Sequence, residues 1–346
     1  MVSALLREIE LRSPYLADRK IESIYFGGGT PSLLEADEIS KIIDTVAKHF
    51  DISYEAEITL EANPDDLSAS KVNALRSTPI NRFSIGIQSF YEEDLRWMNR
   101  AHNQQEACSS IMRVQDAGFE QITCDLIYGY PQLTNEKWQH NMQQLIDFDI
   151  PHISSYSMTV ENKTALDHFI KKGLSPAIDT DQAADQMNLL MDTLKTAGYE
   201  QYEISNFAKN GRYARHNTNY WKGKHYLGIG PSAHSFNGTS RSWNISNNAK
   251  YMKAISSNQL PLEVEHLTNL DQINECIMTS LRTMWGLDLN QVEHRFGQSV
   301  KNSLLKDAAP FQEEKKLILE NNILRLTDAG KLMADHIMSE LFIIED

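Results

Sequence analysis

Residues 24–32 read Ile24-Tyr25-Phe26-Gly27-Gly28-Gly29-Thr30-Pro31-Ser32. An apolar strand that runs into three glycines brings bare backbone N–H groups up to a ligand, with no Cβ in the way. Thr30 adds a hydroxyl, and Pro31 and Ser32 turn the chain toward a helix expected at 35–50. Taken alone, the stretch has two readings, a ligand cradle and a purely structural βα turn. Working outward, strand patterns recur at 21–26, 55–61, 82–88, 120–127, 152–158 and 200–206. Helical patterns fill the gaps at 35–50, 67–77, 91–99 with 104–117, 134–147, and 161–171 with 181–197. That alternation predicts a parallel sheet, either doubly wound or closed. Gly28–Thr30, Glu61–Asn63, Gln88–Ser89, Asp125 with Gly129, and Ser157–Thr159 all fall at or just past strand C-terminal ends. A site assembled from many successive strand ends is the barrel arrangement, whereas a doubly wound sheet gathers its site at one switch point. The expected fold is therefore α/β, a partial (β/α) barrel.

The 346 residues are 41% hydrophobic and 23% charged, enough for a substantial core and a second, smaller domain. No apolar run approaches a membrane span, and Met1–Leu16 reads as an amphipathic helix rather than a signal peptide. A net charge of −14 argues against a nucleic-acid partner, whose electrostatic footprint would be basic. Cys108, Cys124 and Cys276 have no zinc or cluster spacing and suit a reducing, cytoplasmic setting.

Three regions are expected: a barrel over 1–206, a His- and aromatic-rich connecting segment over 207–246, and a helical domain over 247–346. The last ends in a helix, a short two-stranded stretch around Ile323–Leu326 and a helix after Thr327-Asp328, a winged-helix-like outline. A chain that opens on a helix lacks the strand that would pair beside 21–26, so the barrel is expected without its first strand.

GGGTPS (27–32), LEANP (60–64), IGIQSF (85–90), MNRAHN (98–103) and CDLIYGYP (124–131), in that order, resemble the radical S-adenosylmethionine enzymes of the oxygen-independent coproporphyrinogen III oxidase (HemN-like) group. RHNTNYW (215–221), an H-N-x-x-Y-W pattern, points within that group to the haem-chaperone branch, HemW. The resemblance implies that Gly28, Gly29 and Thr30 bind the amino and carboxylate end of S-adenosylmethionine. It implies further that Glu61 accepts hydrogen bonds from the cofactor, that Gln88 and Arg100 clamp it, and that Asp125 takes a ribose hydroxyl with Leu126 and Ile127 beside the adenine. Each position also has a plainer reading: Glu61 an ion-pairing or capping carboxylate, Arg100 a surface helix residue, Asp125 a buried acid satisfied by backbone N–H groups.

Family members hold a [4Fe–4S] cluster through C-x-x-x-C-x-x-C after the first barrel strand. No such triplet occurs in these residues, so the cluster is expected only in a longer form, and catalytic activity is not carried over to the chain as printed. Two explanations stand: Met1 is internal to a longer protein, which the opening helix favours, or the chain is a paralogue that only binds.

His216, His225 and His234 recur at nine-residue intervals among Tyr220, Trp221, Tyr226 and Phe236. Imidazole ligates haem iron, and flat rings cover porphyrin faces, but a loop histidine also serves structure alone. The H-N-x-x-Y-W resemblance singles out His216 as iron ligand, with Asn217, Tyr220 and Trp221 in the haem site. Gly228 and Gly230 are expected where backbones approach closely. The leading functional expectation is a haem chaperone that delivers haem to an acceptor protein. A coproporphyrinogen III oxidase missing its cluster segment, and a binding module without redox chemistry, are the alternatives.

Overall fold

The computed structural model describes residues 1–344, apart from the side chain of Ala165. Helix α1 (Val2–Arg12) precedes β1 (Lys20–Phe26), α2 (Ala36–His49), β2 (Asp51–Ala62), α3 (Ala69–Leu75) and β3 (Arg82–Gln88). Then come α4 (Glu92–Trp97), α5 (Gln104–Asp116), β4 (Gln121–Tyr128), α6 (Asn135–Asp147) and β5 (His152–Ser157). Helices α7 (Ala165–Lys171) and α8 (Thr180–Thr196) lead to β6 (Glu200–Glu203) and β7 (Asn206–Ala208). These strands form one sheet in the order β1-β2-β3-β4-β5-β7-β6, with β1 at an edge. The pairs β2–β3, β3–β4 and β4–β5 are parallel. This is the partial (β/α) barrel that the alternation predicts.

Local chemistry sets the helix starts. Asn103 accepts from the Glu106 N–H while the Glu106 carboxylate takes the Asn103 N–H, a reciprocal cap that opens α5. Thr134 and Asp179 cap α6 and α8 from one side only, each side chain accepting backbone N–H groups of the first turn. The strands alternate: Phe83, Ile85, Ile122, Cys124, Leu126 and Ile153 are fully buried on one face. Period-two geometry puts Arg82, Ser84, Thr123, Asp125, His152 and Ser154 on the other. A hydrogen bond of 2.7 Å from Arg82 to Thr123 Oγ1 shows that this second face is polar even in its depth. His152 Nε2 lies 2.8 Å from Tyr202 Oη and Ser154 donates to Asn206 Oδ1 at 2.9 Å, so these buried polar groups are bonded within the protein.

The stretch 200–206 departs from expectation. It is not one further parallel strand but an antiparallel turn, β6 against β7, with β7 antiparallel to β5. The Glu203 carboxylate takes the Ser205 N–H at 3.0 Å and the Asn206 amide at 2.6 Å, which folds the chain back on itself.

The segment from 207 onward is also more ordered than its loop-rich composition suggests. RHNTNYW forms α9 (Arg215–Trp221), and β8 (His234–Phe236) and β9 (Ser240–Asn244) follow. After α10 (Asn248–Ser256), β10 (Leu262–His266) completes a three-stranded antiparallel sheet. Strands of three to five residues rich in Ser, Arg and His carry too little apolar alternation to be recognised beforehand. Next come α11 (Asn269–Leu281), β11 (Leu287–Asp288), α12 (Leu289–Phe296), α13 (Gln298–Glu313), β12 (Leu317–Glu320), β13 (Ile323–Leu326), α14 (Asp328–Lys331) and α15 (Ala334–Glu340). Helices α11 to α15 and a small sheet ordered β11-β13-β12 reproduce the winged-helix-like outline.

Two compact units emerge, one of residues 1–24, 37–56 and 215–346, the other of 25–36 and 57–214. Helix α1 belongs to the first. Its fully buried Glu8 accepts from Tyr251 Oη at 2.5 Å, the Gly230 N–H at 2.8 Å and Asn244 Nδ2 at 2.6 Å. Arg12, one turn on and equally buried, reaches Ser242 Oγ at 3.0 Å and lies 3.9 Å from Glu8. A buried carboxylate needs such partners, so this network fixes α1 to the 228–251 region.

Candidate functional site

At the C-terminal ends of β1 to β4 the second unit gathers most of the residues singled out from sequence. Gly28 and Gly29 have φ of +74° and +65°. A Cβ at either would meet open space. The left-handed backbone by itself therefore calls for glycine at both positions. Gly27 is the crowded one, since its Cβ would lie 2.6 Å from the Tyr25 ring. Thr30 precedes a short 3-10 turn at Pro31–Leu33 and accepts the Leu33 N–H through its carbonyl.

Glu61, at the end of β2, is held on both oxygens. Tyr25 Oη donates to Oε1 at 2.6 Å, and the Gly28 N–H donates to Oε2 at 3.1 Å. Neither a helix cap nor an ion pair describes it; Glu61 organises the glycine loop. Each carboxylate oxygen keeps acceptor capacity beyond these bonds.

Gln88 ends β3 at φ +65°, just past a register shift between Ile85 and Gln88. A bulge of this kind re-aims a side chain, and a non-glycine residue in this region is strained. Arg100 follows α4 and donates to Asn63 Oδ1 at 2.8 Å and to the Gly86 carbonyl at 3.3 Å. It is thus no free surface residue but a brace between the ends of β2 and β3. A Cβ on Gly86 would lie 2.9 Å from Gln88 Nε2 and 3.1 Å from an Arg100 nitrogen, so this glycine makes room for both groups.

Asp125 sits on the polar face of β4. Burial, and then the nearby Glu61 charge, push its carboxyl up to about 7, while the Ser154 hydroxyl and Arg100 oppose the shift. Ser154 itself donates its hydroxyl proton to Asn206 Oδ1 at 2.9 Å. Of the two apolar residues after Asp125, Ile127 shares its face and Leu126 turns to the buried apolar face. Tyr25, Gly86, Ser154 and Tyr156 were not singled out, whereas Asn63 was noted at its strand end. Tyr25 and Gly86 lie inside the quoted stretches, so position relative to a strand end was the available signal. Tyr156, on β5 with its hydroxyl pushed up by burial and by Asp125, had none.

The second cluster lies in the first unit, on α9. His216 Nδ1 is 3.0 Å from Ser23 Oγ on β1. The Tyr220 ring meets the imidazole edge-on at 5.1 Å, and Tyr226 lies 4.4 Å beyond it. Burial pushes His216 down to about 4, so the ring is neutral at ordinary pH. Arg215 donates to the Glu55 carbonyl at 2.7 Å and fixes the start of the helix. At its end Trp221 lies beneath the Arg282 guanidinium at 5.2 Å, while Lys222 lies 4.3 Å over Trp285. Each side of this clasp supplies one cation and one indole. Asn217 lies one turn before Trp221 on the same helix.

His225 and His234 go elsewhere, against Phe236 and Trp243 respectively. Gly228 is a true close approach, because its Cβ would fall 2.0 Å from the His234 carbonyl oxygen. Gly230 combines φ +112° with its N–H bond to Glu8.

The three cysteines are free thiols on α5, β4 and α11. Burial raises all three above the usual thiol range, the reverse of what a thiolate ligand needs. No group of three or more His, Cys, Asp or Glu among the described residues could hold a metal ion. These residues do not fit a [4Fe–4S] cluster. No helix among the described residues is long and apolar enough to cross a membrane.

Residues 3–145 match the Radical SAM superfamily and residues 267–333 the HemN C-terminal domain. Coproporphyrinogen III oxidase (HemN) from Escherichia coli has a similar fold, with a TM-score of 0.84 at 24% identity over 98% of this chain and 82% of that one. "Heme chaperone HemW" of Bacillus subtilis (strain 168) is 33% identical over 323 residues, 92% of this chain and 84% of the relative. Its counterpart from Haemophilus influenzae, of the same name, is 33% identical over 96% of this chain and 85% of its own length. With motifs, fold and identity in agreement over nearly the whole length, the chain belongs to the HemW family.

Proposed function

We propose that this protein binds haem and passes it to an acceptor protein, with His216 as the iron ligand and Asn217, Tyr220 and Trp221 completing the site. The observation that carries the reading is the placement of RHNTNYW on one short helix, with a neutral imidazole backed by Ser23 and by the Tyr220 ring. Haem iron takes a neutral imidazole lone pair, and aromatic side chains shelter the porphyrin. Similarity over most of the chain to relatives named heme chaperone supports the same reading. Haem is cargo here, held without being chemically changed.

The strand-end cluster is proposed to hold S-adenosylmethionine: the glycine loop with Thr30 at its amino acid end, Gln88 and Arg100 as clamp, Asp125 toward the ribose. Glu61 would shape the loop while offering its remaining lone pairs. The site of action is proposed to be the cytoplasm, which suits three scattered free thiols.

Titration of the purified protein with haemin tests the function. A discrete Soret shift that disappears in His216→Ala supports it; an unchanged spectrum and affinity in that variant overturns it.

A further inference from the structure

We infer that His102 is the positioning residue for Gln88: its imidazole N–H grips the Ile87 carbonyl and holds the strained turn from which the Gln88 side chain extends. The inference rests on the proposed S-adenosylmethionine site and adds to it a residue that acts through its neighbour.

Gln88 is the middle of a three-residue turn, closed by the Ser89 N–H donating to the Ile87 carbonyl at 2.8 Å. With φ at +65°, this is the rare and strained hand of the γ-turn. The ladder to β4 is irregular at the same place, with a register shift between Ile85 and Gln88. A strained residue persists only where its surroundings over-determine it, so the turn needs a hold from outside the strand.

His102 supplies that hold. Its Nε2 lies 3.0 Å from the Ile87 oxygen. A carbonyl can only accept, so the ring proton is on Nε2 and the imidazole is the donor. Both lone pairs of that oxygen are then used, one by Ser89 and one by His102. His102 is 3% exposed, and its Nδ1 has no hydrogen-bond partner among the described residues, so the Ile87 bond is the hydrogen bond that orients the ring. Burial first, and then the Arg100 charge, hold its pKa below the ordinary range, which leaves the ring neutral with a single proton to place.

The backbone that carries the ring is tied on either side. The Arg100 N–H donates to the Leu95 carbonyl at 2.8 Å, and Asn103 opens α5 with its reciprocal cap. Arg100 and His102, two residues apart, thus reach successive carbonyls of β3, those of Gly86 and Ile87. The Gln88 amide lies over Gly86 beside the Arg100 guanidinium, so one short segment sets both members of the proposed clamp.

The test uses the full chain. Protein labelled with ¹⁵N should show, at neutral pH, the His102 ε2 nitrogen protonated and the δ1 nitrogen bare; the reverse assignment overturns the proposal without any variant. Titration with S-adenosylmethionine then reads the role. His102→Phe keeps a ring in the space without a donor and should weaken binding about tenfold, the size of one lost buried hydrogen bond. His102→Gln retains an N–H to offer the carbonyl and should lose less. In a Gln88→Ala background, itself weakened, His102→Phe should cost nothing further, because the brace acts through the side chain it sets. Equal losses in His102→Phe and His102→Gln, or losses that multiply in the double variant, overturn the proposal while S-adenosylmethionine binding stands. Should the parent not bind, or Gln88→Ala bind as the parent does, the reading of the strand-end site falls and the positioning role with it.

Discussion

Tyr25 and Glu61, on neighbouring strands of the sheet, are joined by a hydrogen bond of 2.6 Å that sets the carboxylate against the glycine loop. The Tyr25 hydroxyl is pushed far up from its ordinary range, first by burial and then by the Glu61 charge, and it remains a donor at every accessible pH. The carboxylate therefore reaches the Gly28 N–H from a prepared position. Preorganisation of this kind makes a binding loop effective before its ligand arrives.

Removing that donor should be measurable. Tyr25→Phe leaves Glu61 Oε1 without its phenol and should cost about 1–2 kcal/mol in urea unfolding. Unchanged stability would show that water or another group replaces the phenol at no cost.

Two glycines should respond to alanine for different reasons. Gly28→Ala forces a side chain into φ +74° but meets open space, and should cost about 1–2 kcal/mol. Gly228→Ala drives a methyl group to 2.0 Å from the backbone oxygen of His234 and should cost more, about 3 kcal/mol or above, with β8 displaced. Thermal unfolding of both variants checks the order; equal losses would contradict the geometry.

Acidity should act on the two clusters with opposite sign. His216 binds its proton near pH 4 when folded and near 6.5 when unfolded, so the unfolded chain holds more protons between those values. Its contribution to stability is complete above about pH 6.5 and is lost as pH falls toward 4. Asp125 goes the other way: its folded value near 7 exceeds the ordinary 3.8, the folded form holds more protons, and stability falls as pH rises from about 4 to 7. Equilibrium unfolding across this range should show a shallower acid loss in His216→Gln and a shallower neutral loss in Asp125→Asn. Parallel profiles for parent and both variants would refute the assignment.

The clasp at the end of α9 should be worth about 0.5–1 kcal/mol for each cation–ring pair. A double-mutant cycle of Trp221→Leu with Arg282→Gln isolates the first pair. Coupling near that value is expected; zero coupling would mean that the stacked geometry contributes nothing in solution.

The sequence made the barrel legible because β3 and β4 carry long apolar alternations ending in polar residues, and because glycines mark the turns after them. It did not reveal the fold-back at 200–208, where a single carboxylate, Glu203, bonds two neighbours three residues away at most. Nor did it reveal that His216 lies on a helix, since seven residues without apolar periodicity give too weak a signal. Of the strand-end site, Gly28, Glu61, Gln88, Arg100 and Asp125 were readable from motif order. Their mutual arrangement was not, because it depends on Gly86 leaving space and on Asn63 receiving Arg100. The contact of Ser23 with His216 was invisible, as it spans 193 intervening residues.

The buried carboxylate of Glu8 imposes an order on biosynthesis. Among the elements described, α1 is made first, yet the hydroxyl it needs, on Tyr251, comes 243 residues later. At about 5–20 residues per second, translation separates the two by roughly 12–50 s. Through that interval Ile9, almost wholly covered in the finished protein, waits exposed to water beside the hydrated acid. Residues 57–214 can meanwhile collapse on their own contacts. A nascent chain paused between about 215 and 251 would thus carry a collapsed partial barrel and a sticky, unattached helix, the form on which a holdase or a protease would act.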